Sequence, residues 1–215
     1  MQMTKESLFE INDLEGVLAR LAERLEDKFA GIFSKETIGR CTKESYALLA
    51  ENATVLVHLP ALTERFARDR LTALAQSEFK IAKDKPEILF ICVHNAGRSQ
   101  MAAALALQIS GGAVCVRSAG SAPSDSIPAA VHEAMNEIGS NLAEAFPKPL
   151  TDEFVRAADI VITMGCGDAC PIYPGKRYED WDLADPAALD TAGVAAVRNN
   201  IEGRIRTLLT ELKVI

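Results

Sequence analysis

Apolar residues recur at helical spacing through the first third of the chain. Leu14, Leu18, Leu21, Leu25 and Phe29 fall on one stripe that ends at Gly31, which predicts an amphipathic helix. Ser34 then stands as a capping side chain before a second stripe of Ile38, Cys41 and Leu48-Leu49. Pro60 suits the first turn of a third helix carrying Leu62, Phe66, Leu71 and Leu74. Residues 4 to about 78 are therefore expected to be helical, with the Leu and Phe stripes serving as an internal core. Dimerisation through this region, docking of a partner and plain stabilisation all remain open for it.

From about residue 81 the period changes. Ile88 to Cys92, Ala113 to Arg117 and Asp159 to Met164 read as apolar strands, with a fourth near Lys176 to Trp181. Between and after them, Arg98 to Gln108, Pro128 to Ile138, Thr151 to Ala157 and Val194 to Leu212 read as helices. Strands alternating with helices call for an α/β fold, a parallel four-stranded sheet flanked by helices, here preceded by a small three-helix domain. The expected domains are residues 1–80 and 81–215, with the only candidate joint over Lys80 to Pro86. In such a sheet ligand chemistry sits at the carboxyl ends of the strands.

One stretch at such an end carries a complete chemical idea. Cys92-Val93-His94-Asn95-Ala96-Gly97-Arg98-Ser99 joins the first strand to the following helix. The amides of Val93, His94, Asn95, Ala96 and Gly97, with those of Arg98 and Ser99 at the helix start, can converge on a tetrahedral anion. The positive end of the helix dipole favours the anion and favours the thiolate of Cys92 beneath it. Arg98 adds a planar fork suited to two anion oxygens, and Ser99 can donate its hydroxyl proton to the sulfur. Gly97 allows a left-handed backbone, and Asn95 tolerates one while its amide braces the loop.

Charge and cysteine usage narrow the field. The net charge of −7, from 23 basic and 30 acidic residues, argues against a nucleic-acid surface and makes the anion cup a local exception. No apolar run is long enough for a bilayer, and Met1 to Glu6 lacks the basic and apolar regions of a secretory leader, so a cytoplasmic protein without a membrane partner is expected. Five cysteines in that setting suggest catalysis, redox chemistry or burial before a disulfide framework. Cys41 and Cys115 fall on apolar patterns and read as small core residues. Cys92, Cys166 and Cys170 are left for chemistry.

Cys166 and Cys170 lie in Gly165-Cys166-Gly167-Asp168-Ala169-Cys170-Pro171, directly after an apolar strand and on the same sheet edge as Cys92. His58, His94 and His132 are scattered without ligand spacing, so no metal site is expected and thiol exchange fits better than zinc. A nearby thiolate can attack the sulfur of Cys92 and carry two electrons out of the pair. Asp182 and Asp185 follow the last strand; Pro186 holds Asp185 extended, and its carboxyl could protonate an oxygen leaving the anion. Asp180 and Asp182 read as an acidic surface loop. The His94 imidazole is expected to face solvent.

Cys92 to Ser99 followed by Gln100-Met101-Ala102, with Asp159 to Cys166 and Asp185-Pro186 downstream, resembles arsenate reductases built on the low-molecular-weight protein tyrosine phosphatase fold. The likeness covers residues 86 to 213. The helical region resembles the three-helix extension of actinobacterial members, through Phe29-Ala30-Gly31, Leu59-Pro60 and Phe66-Ala67-Arg68. The resemblance implies arsenate reduction to arsenite, for detoxification, through a covalent thiol-arsenate adduct on Cys92. Arg98 and the loop amides would hold the anion, Asp185 would act as acid, and Cys166 and Cys170 would relay the disulfide outward. It implies no tightly bound cofactor and an external reductant, thioredoxin or mycothiol with mycoredoxin. The alternative is a protein tyrosine or small phosphomonoester phosphatase using the same Cys92, Arg98 and Asp185.

Overall fold

The structure, a computed structural model, describes residues 13–165 and 170–215. The helical expectation for residues 4–12 and the candidate Cys166 lie outside the described residues. The chain divides into two compact units, one ending at Ala75 and one running from Gln76 to Ile215.

The first unit is built from α1 (Leu14–Lys28), α2 (Lys35–Ala50) and α3 (Leu59–Ser77). The Asp13 carboxylate accepts the Gly16 amide at 2.9 Å to start α1, and Ser34 Oγ accepts the Thr37 amide at 3.3 Å to start α2. Between them Gly31 takes a φ of +77°, which a side chain would resist. Leu25, Phe29, Ile38, Cys41, Ala67 and Leu71 form the core, so the α1 and α2 stripes and the buried Cys41 fall as the periodicity predicts except at Leu14 and Leu48, which are half-buried. On α3 the outcome differs: Leu62 and Leu74 are half-buried, and Arg70 is buried instead. Its guanidinium donates to Ser45 Oγ at 3.1 Å and to Glu44 Oε2 at 3.2 Å, and stacks over the Phe66 ring. A long aliphatic stem with a satisfied head can occupy a face that periodicity assigns to leucine.

The second unit holds a four-stranded sheet in the order β2-β1-β3-β4, from β1 (Glu87–Cys92), β2 (Cys115–Gly120), β3 (Ile160–Met164) and β4 (Arg177–Asp180). Every pairing is parallel, and Cys92 lies level with Gly120 on one side and Met164 on the other. β1 is buried at every residue because it is central and covered on both faces, which is what its unbroken apolar run requires. Ile88, Phe90 and Cys92 join Met101, Leu105, Val131, Met135, Val194 and Ile201 in the main core, contributed by α4 (Arg98–Ile109), α5 (Ala129–Asn136) and α7 (Thr191–Glu211). Leu89 is level with Arg117, and Arg117 stacks over Phe154, so α6 (Asp152–Ala157) covers the opposite face.

Three boundaries depart from expectation. β2 runs Cys115–Gly120 rather than Ala113 to Arg117, because Gly111 and Gly112 both adopt positive φ and the chain first pairs at Cys115, whose amide donates to the Pro86 carbonyl at 2.9 Å. Cys115 is consequently half-buried at the strand's start, not a core residue, with its Sγ 4.0 Å from Glu87 Oε1. α7 begins a turn early, at Thr191, because the Asp190 carboxylate accepts the Gly193 amide at 2.8 Å.

Candidate active site

Cys92 ends β1, 2% exposed, and α4 begins six residues later at Arg98. The loop between them is tied down by its carbonyls. The carbonyl oxygens of Cys92, Val93 and His94 accept the amides of Ser121, Ala122 and Ser124 at 3.2, 2.9 and 3.0 Å. The Asn95 carbonyl accepts Gln100 Nε2 at 3.0 Å. With its oxygen side turned outward to those partners, the loop presents its N–H side above the Cys92 sulfur. Gly97, the residue before α4, offers no capping side chain, so the helix's first amides are left for an anion.

The sulfur has a specific hydrogen-bond partner. Ser99 Oγ lies 3.0 Å from Cys92 Sγ, and Asn95 Nδ2 donates to the same Oγ at 2.8 Å. That oxygen accepts from Asn95 and keeps a hydrogen that can be given to the sulfur. Asn95 is fixed in turn: its Oδ1 accepts Gln100 Nε2 at 3.1 Å and the Lys148 amide at 2.9 Å. Gln100, to which sequence pattern assigns no chemical role, thus joins the loop to the Phe146 carbonyl as well, at 2.9 Å.

The glycine expectation needs correction. Asn95, at φ +47°, is the left-handed residue of the loop, whereas Gly97 is not. Gly97 is needed for closeness, since a Cβ there would stand 3.1 Å from Pro186 Cγ. Gly120 answers the same need from behind: a Cβ would meet the Val93 carbonyl oxygen at 2.7 Å and the Asn95 nitrogen at 3.0 Å. Both neighbours are backbone of the anion loop. Gly120→Ala is therefore expected to destabilise the fold by about 1–3 kcal/mol, by overpacking against atoms that cannot rotate away. A thermal unfolding scan would register the loss, and activity should fall further than stability because the displaced atoms belong to the cup.

Arg98 is buried at 7% exposure and reaches across the chain. Its Nη2 donates to Asp185 Oδ2 at 2.9 Å, over 87 residues of sequence, and its Nη1 to the Leu183 carbonyl at 3.3 Å. Gly165, at φ +74°, makes room for the guanidinium, as a Cβ there would be 3.0 Å from Nη1. Asp185 is held by a second bond, its Oδ1 accepting the Ala187 amide at 3.1 Å, where it caps the short 3-10 turn Pro186–Ala188. The His94 imidazole is half-exposed but does not simply face water: its Nδ1 lies 3.9 Å from Asp185 Oδ2. Asp180 is turned elsewhere, accepting from Thr163 Oγ1.

Cys92, His94, Ala96, Gly97, Arg98 and Asp185 together line one cavity of about 30 Å³, closed by Pro128, Val131, Pro186 and Ala187. Its volume is roughly a tenth of that of a pocket enclosing an organic ligand. None of these lining residues is Phe, Tyr or Trp. Cys170 is not among them. It sits half-buried in the segment after β3, its Sγ donating to the Pro171 carbonyl at 3.6 Å. The Tyr178 hydroxyl donates to that same carbonyl at 3.3 Å. Burial raises the pKa of Tyr178, so the phenol stays a donor. Among the described residues no group of His, Cys, Asp and Glu is arranged to hold a metal ion, and no helix is long and apolar enough to cross a membrane.

Comparisons with known proteins place the chain in a family that holds both reductases and phosphatases; an arginine phosphatase of Geobacillus stearothermophilus is 26% identical with a TM-score of 0.53, over 60% of this chain and 93% of the other. The family model for low molecular weight phosphotyrosine protein phosphatase matches residues 87–214, and a model for a protein-tyrosine-phosphatase-like N-terminal domain matches residues 18–75. The chain is 50% identical to the solved structure of a Corynebacterium glutamicum thioredoxin-dependent arsenate reductase, with a TM-score of 0.86 over 93% of this chain and 98% of that one. It is 35% identical to arsenate reductase 1 of Staphylococcus epidermidis over 127 residues, 57% of this chain and 95% of the relative. An arsenate reductase solved in its phosphate-binding state is 26% identical with a TM-score of 0.53, over 59% of this chain and 98% of the other.

Proposed function

The chain belongs to the low molecular weight phosphotyrosine protein phosphatase family, and we propose that within it this protein reduces arsenate to arsenite. The observation that carries the reading is the cavity of about 30 Å³ with Cys92 in its wall, sized for a small inorganic oxyanion and offering no aromatic surface to a phosphotyrosine ring. The 50% identity to a thioredoxin-dependent arsenate reductase across nearly the whole chain supports it.

The Cys92 thiolate attacks the arsenic of an arsenate bound by Arg98 and the amides of Val93 to Ser99. Asp185 protonates the departing oxygen, which leaves as water, and a thiol-arsenate adduct remains. Cys166 or Cys170 then attacks the Cys92 sulfur. A sulfur–sulfur bond forms, the sulfur–arsenic pair of electrons stays on arsenic, and arsenite departs, so two thiols supply the two electrons that arsenic gains. An external thiol reductant restores the enzyme; the relatives favour thioredoxin, with mycothiol and mycoredoxin as the other donor class. Phosphomonoester hydrolysis needs only Cys92, Arg98 and Asp185 and is expected as a slow side activity.

Arsenite release should be measured with thioredoxin, thioredoxin reductase and NADPH, and in parallel with mycothiol and mycoredoxin. Arsenate-dependent NADPH consumption in the first system is expected. Absence of turnover in both, with the fold intact, overturns the reading.

A further inference from the structure

We propose that the turn Pro171–Pro174 is the docking point for a protein dithiol of the thioredoxin class, with Ile172 as the apolar knob that seats it. The proposal rests on the relay reading in one respect, that Cys170 is a sulfur the donor must reach.

Ile172 is 81% exposed and stands two residues from Cys170, between the exposed prolines 171 and 174. A single exposed aliphatic is ordinary on any surface. What sets this one apart is the effort spent holding its backbone still while leaving its side chain in water. The Tyr178 hydroxyl accepts the Tyr173 amide at 2.8 Å and donates to the Pro171 carbonyl at 3.3 Å, spanning Ile172 from both sides. The Tyr173 hydroxyl bonds to Asp152 and accepts Arg156 Nε at 3.4 Å, and the Arg156 guanidinium stacks on the Tyr173 ring at 5.1 Å. Lys176 Nζ donates to the carbonyls of Arg156 and Ala158 at 2.6 and 2.7 Å, fixing the far end of the turn to the close of α6. Gly175, at φ +81°, lets the chain reverse into β4.

These contacts anchor the segment to α6 and β4 and bury none of Ile172. A partner that covers Ile172 therefore meets an already ordered apolar contact and loses little chain entropy in doing so. A small thiol has no surface with which to cover it. The chemistry identifies the partner as a protein whose nucleophilic cysteine is rimmed by apolar surface. Its thiolate attacks the Cys170 sulfur of the oxidised relay disulfide, and Cys166 leaves as a thiolate and takes up a proton. The donor's second thiol then attacks the mixed disulfide, releasing Cys170 as a thiol and leaving the donor oxidised. Two electrons pass from the donor's dithiol, which ends as a disulfide, to the chain's disulfide, which ends as two thiols.

The test needs no arsenate. The chain, oxidised with diamide, is mixed with reduced thioredoxin, and disulfide exchange is followed by thioredoxin fluorescence for the wild type, Ile172→Ser and Ile172→Leu. The second-order rate constant should fall about tenfold in I172S and return to near the wild-type value in I172L, as expected for an interface anchor. Reduction of the same proteins by dithiothreitol should be equal in all three. An I172S rate equal to wild type overturns the docking point, as does a wild-type disulfide that thioredoxin leaves oxidised. If the exchange depends on Ile172 while arsenate turnover is absent, the docking stands and the arsenate reading falls.

Discussion

Cys92→Ser abolishes arsenite release and phosphomonoester hydrolysis alike, by at least about a thousandfold, because a serine hydroxyl is un-ionised at neutral pH and far less nucleophilic than a thiolate. Anion binding is expected to survive the same change. Cys92 is 2% exposed, and its hydrogen-bond partner Ser99 is pinned by Asn95, so the smaller oxygen enters a site already shaped to bond it. Arg98, Asp185 and the α4 amides are untouched. Phosphate should therefore still bind the variant, with an affinity within about tenfold of wild type in calorimetry, as follows when charge-assisted partners of the anion are all retained. Surviving turnover in C92S would remove the covalent mechanism altogether.

Cys170→Ser and Cys166→Ser separate the two activities that share the cup. A serine can neither attack the Cys92 sulfur nor hold half of a disulfide, so multi-turnover arsenite release should collapse by about a hundredfold or more in each. Phosphomonoester hydrolysis should stay within about twofold for C170S, since Cys170 lines no part of the cavity around Cys92 and is held instead by the Pro171 and Tyr178 contacts. Mass spectrometry of the oxidised variants completes the test. The thiol that strikes first remains able to form a disulfide with Cys92 when the other is removed, and the second does not. A C170S enzyme with undiminished thioredoxin-driven turnover would show that the relay runs without it.

Much of this site is written in one short stretch. The run from β1 into α4 announces a central strand, a loop and a helix within fourteen residues or so, and the residue types of the loop announce an anion and a nucleophile. Local physics suffices there, because a strand's apolar run, a helix's period and a cap's side chain each act over a few positions. The same holds for α1, for α2 with its Ser34 cap and for the existence of all four strands. Where the buried face of α3 departs from expectation, a distant partner is the cause. Arg70 is buried because Ser45 and Phe66 receive it, and α3's face shifts accordingly.

The amino-acid sequence by itself determined the alternation of elements and supplied the proposal of Cys92 as nucleophile with its anion loop and Arg98, since each is specified by neighbours in the chain. Only the tertiary structure decided that Asp185 meets Arg98, that Asn95 and not Gly97 turns left-handed, that Gly120 and Gln100 support the loop, and that the cavity beside Cys92 is small. Those facts depend on strand order and register, which bring residues 18 to 87 positions apart within a hydrogen bond of one another. No period along a chain carries that information.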